Sequence, residues 1–278
     1  MISRLAYALF RGLMVALLIF IPSLLVPGVT SDTAQIIALV ALFGAVLTVV
    51  EYTAAYPSLV EFRDAAPFNR IRFASLFVIV LILSIILRGE VVPSSLSLFM
   101  QAIGAVIGYA IDFPYSPVRL VVLMLPEDTG AEQIARVRTA AGIGYLVSLV
   151  TLAIFLIVLR LRNWPLASGS FNVWINLPTF DPTKGGDVVE RLERDARFNI
   201  ALGFLLPFLT PAAVKMAGSV FGGVSLENPQ TLIWTVAAWA FLPTSLFMRG
   251  IAMGRVASMI DEKRKRARAA QDVDLQLV

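Results

Sequence analysis

Residues 95–126 of the chain read SLSLFMQAIGAVIGYAIDFPYSPVRLVVLMLP. Two apolar runs, 96–111 and 118–125, meet at an acid and two prolines: Asp112, Pro114 and Pro117. Neither run comfortably crosses a hydrocarbon core of about 30 Å, because a helix needs roughly 20 residues to do so. How this break is interpreted decides the path of the rest of the chain.

The composition predicts an integral membrane protein. Of the 278 residues, 58% are hydrophobic and 15% are charged, and the mean hydropathy is +0.81. A soluble domain cannot bury that much apolar surface. The apolar runs are continuous and do not alternate, which favours spanning helices over strands. We therefore predict an all-α fold, a polytopic transmembrane bundle that forms a single domain over residues 1–278.

Six runs are long enough to be full spans, with approximate boundaries that follow from hydropathy and from charged or proline-rich ends. They cover residues 13–26, 34–55, 73–87, 139–159, 199–220 and 231–248. The segment 95–126 is the seventh apolar region, and its path is a separate question.

Lys and Arg prefer the cytoplasmic side of a membrane, so their distribution tests that path. If residues 95–126 cross once, giving seven spans, fourteen positive residues lie on one side and eight on the other, with Lys215 inside a span. If the segment enters and returns on the same side, eighteen lie on one side and three on the other, with Arg119 at the break. The larger asymmetry favours six full spans plus a broken or re-entrant hairpin at 95–126, with both termini cytoplasmic.

A seven-span alternative stays open, in which residues 91–111 form one span and an interfacial helix follows. On either path, irregular backbone at membrane depth must be covered by protein or must line a wet cavity. The expected location is the inner (plasma) membrane of a bacterium.

Three polar residues in apolar surroundings are candidates for an intramembrane site: Asp112, Arg119 and Lys215. A charge at membrane depth is costly and is normally paired or titrated. Asp112 could form an ion or proton site with Arg119 or Lys215, but the prolines after it also fit a helix end at the lipid–water interface. Lys215 follows two prolines and a threonine, a pattern typical of a kinked helix. It is also close enough to the end of its span for its ammonium group to reach the interface.

Two pairs of glycines have the spacing that lets membrane helices pack closely. They are Gly104 with Gly108 and Gly218 with Gly222. Without a Cβ, the backbones of two helices can come into contact. The pattern is common in glycine-rich apolar sequence, so it predicts tight packing within the bundle more than a particular dimer.

Residues 160–198 form the longest polar region, and they suggest an interface. This region contains four aromatic residues that could anchor at the headgroup level or dock a partner: Trp164, Phe171, Trp174 and Phe180. From Asp187 to Glu190 the sequence resembles a capping box, which predicts an interfacial amphipathic helix up to Phe198.

The C-terminal residues 249–278 are strongly basic and include the run Lys263-Arg264-Lys265-Arg266. Beside a last span, such a run is typical of a cytoplasmic tail, where it can touch anionic lipid. We expect no nucleic-acid partner.

The absence of two residue types excludes several classes of catalytic and metal-binding site. The chain contains no Cys and no His, so it cannot supply a thiol nucleophile, a Ser-His pair or a His-ligated metal or haem. We predict no catalytic, cofactor-binding or metal-binding residue and no enzyme activity. Two functions remain. The first is a structural or assembly subunit of a larger membrane complex, with membrane-protein partners or self-association. The alternative is a small secondary transporter or channel that uses Asp112 and Lys215.

Overall fold

The computed structural model describes the backbone of residues 2–165, 171–221 and 225–276, and this part of the chain consists of helices joined by turns and loops. The helices are α1 (Ile2–Leu25), α2 (Ser31–Thr53), α3 (Phe68–Val91), α4 (Ser95–Ala110), α5 (Pro117–Leu123), α6 (Ala131–Leu161), α7 (Val173–Asn176), α8 (Val188–Phe221) and α9 (Pro229–Gln276). Six of them, α1, α2, α3, α6, α8 and α9, are long and apolar enough to cross a membrane. The predicted all-α class with six long apolar helices is confirmed.

The break predicted within residues 95–126 separates α4 from α5. The two helices have 16 and 7 residues and are therefore about 24 and about 10 Å long. α4 starts at a capping box in which the hydroxyls of Ser94 and Ser97 each accept the other residue's backbone N–H. α5 begins with Pro117, whose missing N–H costs nothing in a first turn, and the Ser116 hydroxyl accepts the Arg119 N–H at 3.0 Å.

Two contacts show that the chain leaves and re-enters the bundle at one end. Glu90, in the last turn of α3, pairs with Arg136 near the start of α6, with 2.9 Å between Oε1 and Nε. Gln133, in the first turn of α6, donates from Nε2 to the carbonyl of Leu226 between α8 and α9, at 2.6 Å. Since α3 ends where α6 begins, residues 92–130 form an excursion from this end, as the charge count predicts.

The other end, called the basic end below, is formed by the starts of α1, α3 and α8, the end of α6, residues 54–67, 162–165 and 171–187, and α9 from Arg249 onward. Here the Arg11 guanidinium lies over the Tyr52 ring, 4.2 Å from its centroid, and Arg249 of α9 pairs with Glu61. The segments that carry eighteen of the positive residues in the charge count belong to this end.

Two apolar clusters hold the helices together. The first lies between α1, α3, α5, α6 and α9, with Ile79, Leu83, Val121, Ile143 and Ile233 among its buried members. The second lies at the basic end and joins loop residues to α3, α6, α8 and α9; its buried aromatic side chains are Phe62, Phe68, Phe155, Trp164 and Phe180. The basic end is therefore a packed layer and not a set of loose loops.

A side chain of α9 replaces the backbone donor that Pro211 lacks within α8. Pro211 has no N–H, so the carbonyl of Pro207 lacks its usual donor four residues ahead. The indole N–H of Trp239 supplies a donor, with 3.1 Å between Nε1 and the Pro207 oxygen. α8 thus remains one helix across both prolines, and the freed carbonyl is occupied by protein.

α2 lies at the edge of the bundle and packs mainly against α1. Of its 23 residues, Ala41 and Glu51 are buried, and none of its side chains belongs to either apolar cluster. Large side chains such as Leu39 and Phe43 are 67% and 69% exposed. Most of this helix therefore faces outward.

The amphipathic segment and the basic tail are both continuous with spans. The segment predicted to end at Phe198 forms the first turns of α8, which runs unbroken to Phe221. The described part of the tail is the end of α9, a helix of 48 residues and so about 72 Å long. This is more than twice the thickness of a hydrocarbon core, so the second half of α9 extends into the layer at the basic end.

Candidate functional site

The Asp112 carboxylate is buried between two arginines. Its side chain is 4% exposed, and its Oδ2 lies 2.6 Å from Arg138 Nε in α6. Its Oδ1 lies 3.0 Å from Arg119 Nε in α5, a charge contact without hydrogen-bond alignment. Since Asp112 follows α4, one carboxylate fastens α4, α5 and α6 together. A buried acid paired with two guanidinium groups suits a fixed junction better than a proton relay.

Lys215 lies apart from this junction. Its ammonium group donates to the carbonyl of Leu123 at 2.9 Å, at the end of α5, where the last carbonyls of a helix lack intrahelical donors. Asp112 precedes the other end of α5. The structure therefore brings Asp112 and Arg119 together, leaves Lys215 at a separate contact, and adds Arg138, which sequence reasoning did not select.

The first pair of glycines lies where α4 meets α6. A Cβ on Gly104 would lie 2.7 Å from Thr139 Cγ2, and one on Gly108 would lie 2.7 Å from the Arg138 carbonyl oxygen. Gly142 of α6 faces Gly108 so closely that a Cβ there would overlap the Gly108 backbone. Of the second pair, Gly218 is in α8, and Gly222 lies outside the described residues.

The aromatic residues of 160–198 differ in what they contact. Trp164 and Phe180 are 3% and 5% exposed and belong to the second apolar cluster. Phe171 is partly buried and meets Trp164 edge-on. Trp174 is 52% exposed. Of the four, Trp174 is therefore the one whose ring is free to reach a partner or headgroups.

A second buried acid, Glu61, organises the basic end. Its carboxylate accepts hydrogen bonds from Arg249 Nε and Nη2 at 2.6 and 2.8 Å and from the Thr179 hydroxyl at 2.7 Å. One group thus connects the loop 54–67, residues 171–187 and α9. Burial raises the pKa of Glu61, but the hydrogen bonds from Arg249 and Thr179 and the charges of Arg249 and Arg72 outweigh it and hold the pKa below its ordinary value.

Further polar contacts close the same layer. The Glu51 carboxylate accepts the backbone N–H groups of Ser58, Leu59 and Val60. Asn176 of α7 accepts the Phe62 N–H on its carbonyl and the Asp64 N–H on its side chain. Buried or partly buried hydrogen bonds therefore fix the loop 54–67, residues 171–187 and α9 to one another.

Asp187 anchors the end of α9, because Arg264 donates to its carboxylate at 2.7 Å. Hydrogen bonds from Arg264 and from the Val189 N–H lower the pKa of Asp187. The contact holds the first basic turns of the tail against the start of α8.

Two partly open cavities lie beside Trp239. One, of about 220 Å³, lies between α5, α8 and α9 and includes Thr210 and Thr235 in its lining. The other, of about 240 Å³, lies between α6, α8 and α9 and includes Ser148 and Thr244. The rest of their linings is mainly apolar, and Tyr145 is the one ionisable group among the lining residues. Neither cavity contains Asp112 or Lys215.

The described residues contain no group of three or more acids that could hold a metal ion. No family model, curated protein or solved structure matches this chain.

Proposed function

We propose that this protein is a non-catalytic structural or assembly subunit of a larger membrane complex. The observation that carries the proposal is the position of α2: an apolar helix of 23 residues that contributes no side chain to either apolar cluster. The bundle forms its cores without α2. A helix that is not needed for packing within its own chain is available to pack against another membrane protein. Within a bilayer, such association is driven by close van der Waals packing of the helices.

The state of the buried charges supports the same function. Asp112, Glu61 and Glu90 are each paired with arginine, and the Lys215 ammonium is bound to a backbone carbonyl. Ion and proton carriers keep ionisable groups that face a wet path and change partner during transport. A transporter that uses Asp112 and Lys215 is less well supported, because the two groups contact opposite ends of α5.

The proposal includes an orientation, with the basic end cytoplasmic and the protein in the inner membrane of a bacterium. The excess of Lys and Arg at that end supports it. The basic residues at the end of α9 would then face the anionic cytoplasmic leaflet.

Labelling of a single cysteine tests this orientation, since the chain has no other thiol. Thr129, between α5 and α6, is at the end opposite the basic end. We expect Thr129→Cys to react with a membrane-impermeant maleimide added outside spheroplasts. Arg268→Cys on the exposed tail is the matched control and should react after lysis alone. Labelling of Arg268→Cys in intact spheroplasts would contradict the orientation.

Photo-crosslinking from α2 tests the complex itself. Phe43 on α2 is 69% exposed and Phe204 on α8 is 60% exposed, so benzoylphenylalanine can replace either ring. We expect position 43 to give a discrete adduct with another membrane protein in native membranes and position 204 to give none. The same partner should co-purify with the unmodified protein in a mild detergent.

Three results would overturn the proposal. They are the absence of an adduct from position 43, equal adducts from both positions, and an adduct with a second copy of this chain alone. If the protein were also recovered as a monomer without a partner, this would support the absence of an adduct from position 43.

A further inference from the structure

We propose that the groove between α1, α2 and α3 at the basic end binds one molecule of an anionic phospholipid. The groove has a volume of about 410 Å³ and is lined by both charged and apolar side chains. This site differs from the α2 surface and from the basic tail, and it does not depend on the proposed complex.

The charged part of the groove consists of Arg11 and Arg70. Within the described part of the chain neither side chain forms an ion pair or a hydrogen bond, and Arg11 is positioned by stacking on Tyr52. Two guanidinium groups without an internal counter-charge form a site that suits a phosphate, to which arginine can donate two parallel hydrogen bonds.

No acid competes for these arginines. Asp64, the acid nearest to Arg70 in the sequence, lies 3.4 Å from the Arg63 guanidinium. Glu51, next to Tyr52, is engaged by the Ser58 hydroxyl and by three backbone N–H groups of residues 58–60. Glu61 is occupied by Arg249 and Thr179. The charge of the groove must therefore be balanced by a ligand or by solvent ions.

The rest of the groove matches an acyl chain. Phe10, Met14, Val15 and Phe73 line it, and all but Phe10 lie farther along the spans than the arginines. The groove opens outward past Tyr7 and Phe10, which are 70% and 59% exposed. Tyrosines near such a mouth are typical of the headgroup level. A lipid can enter sideways from the bilayer, with its phosphate between the arginines and one chain against the apolar wall.

A second groove with two arginines serves as a comparison. Arg197 and Arg255 line an open cavity of about 400 Å³ between α8 and α9, but Glu193 lines it as well. In the described part of the chain these arginines also lack ion pairs. This groove offers equal positive charge with a competing acid, so it separates general attraction of anionic lipid from a built site.

Native mass spectrometry of the full-length protein in detergent measures the binding. Dioleoylphosphatidylglycerol is titrated against dioleoylphosphatidylcholine, which has the same chains and no net charge. We expect the first lipid to bind with 1:1 stoichiometry and the double variant Arg11→Gln/Arg70→Gln to weaken its apparent Kd about tenfold or more. The matched double variant Arg197→Gln/Arg255→Gln should change that Kd less than twofold.

Two further variants keep the test valid if loss of the Arg11–Tyr52 stack harms folding. Arg70→Gln leaves that stack intact and should by itself weaken binding several-fold. Met14→Trp keeps both charges but fills the apolar part, and should also weaken binding. Equal binding of the two lipids, or equal loss in both double variants, would overturn the proposal. So would unchanged binding in Arg70→Gln and Met14→Trp.

Discussion

Glu61→Gln is expected to lower the free energy of unfolding by about 3 kcal/mol, because it removes one partner of a buried ion pair and leaves the other. Arg249 is 27% exposed on its side chain and cannot leave the layer without opening it. The amide would offer one neutral acceptor in place of a charge shared by two Arg249 nitrogens and the Thr179 hydroxyl.

The thermal midpoint in detergent micelles, followed by circular dichroism, measures this loss. Glu193→Gln is the matched control: Glu193 is an exposed acid of the basic end without an ion pair in the described part of the chain. Surface changes of this kind stay within about 0.5 kcal/mol. An equal shift in both variants would show that the Glu61 contacts do not stabilise the fold.

The contribution of Glu61 to the free energy of unfolding should also depend on pH. The pKa of Glu61 is lower in the folded protein than its ordinary value of 4.5, so its contribution is fully present above the unfolded pKa. The contribution is lost as the pH falls through the folded pKa. We therefore expect the stability difference between wild type and Glu61→Gln to be constant above about pH 6 and to shrink below about pH 4.5. A difference that does not change over this range would contradict the assigned ion pair.

The features that the sequence predicts well depend on local or additive properties. The break between α4 and α5 follows from Pro114 and Pro117, whose effect on the backbone is local. The return of residues 92–130 to one end follows from the number of Lys and Arg residues on each side of the membrane. A misplaced single residue changes this count little. The length of the apolar runs likewise predicts six spans without knowledge of their neighbours.

The buried ion pairs could not be predicted in this way. Glu61 and Arg249 are 188 residues apart, and nothing in either local sequence indicates the other. Arg138 lies just before the apolar run 139–159, and its distance from Asp112 depends on how α4 crosses α6. That proximity to the apolar run is the one signal in the local sequence that places this cation near membrane depth.

Two boundaries differ from expectation because a change in polarity alone does not end a helix. The change from charged to apolar residues near Phe198 suggested two elements, but a change in polarity does not end a helix. Without a glycine or proline at that point, the backbone hydrogen bonds continue, and α8 forms one helix from Val188. α9 also passes from a span into the basic tail as one helix, and it does so across Gly250 and Gly254.

Gly108→Ala is expected to destabilise the protein by about 2 kcal/mol, although alanine is the better helix former by about 1 kcal/mol. The added Cβ would lie 2.7 Å from the Arg138 carbonyl oxygen, and backbone atoms of α6 can yield only if the whole helix moves. Such a movement would also displace Arg138 from Asp112, which holds the end of α4. Overpacking at a backbone contact therefore outweighs the gain in helix propensity.

Gly254→Ala provides the matched control, because Gly254 is also inside a helix but a Cβ there would meet Ala196 Cβ at an ordinary 3.8 Å. This change should raise the free energy of unfolding by about 0.5–1 kcal/mol. Thermal midpoints of the two variants are thus expected to move in opposite directions from wild type. If Gly108→Ala stabilised the protein as Gly254→Ala does, α4 and α6 would not be in backbone contact, and the covering of the hairpin by α6 would be wrong.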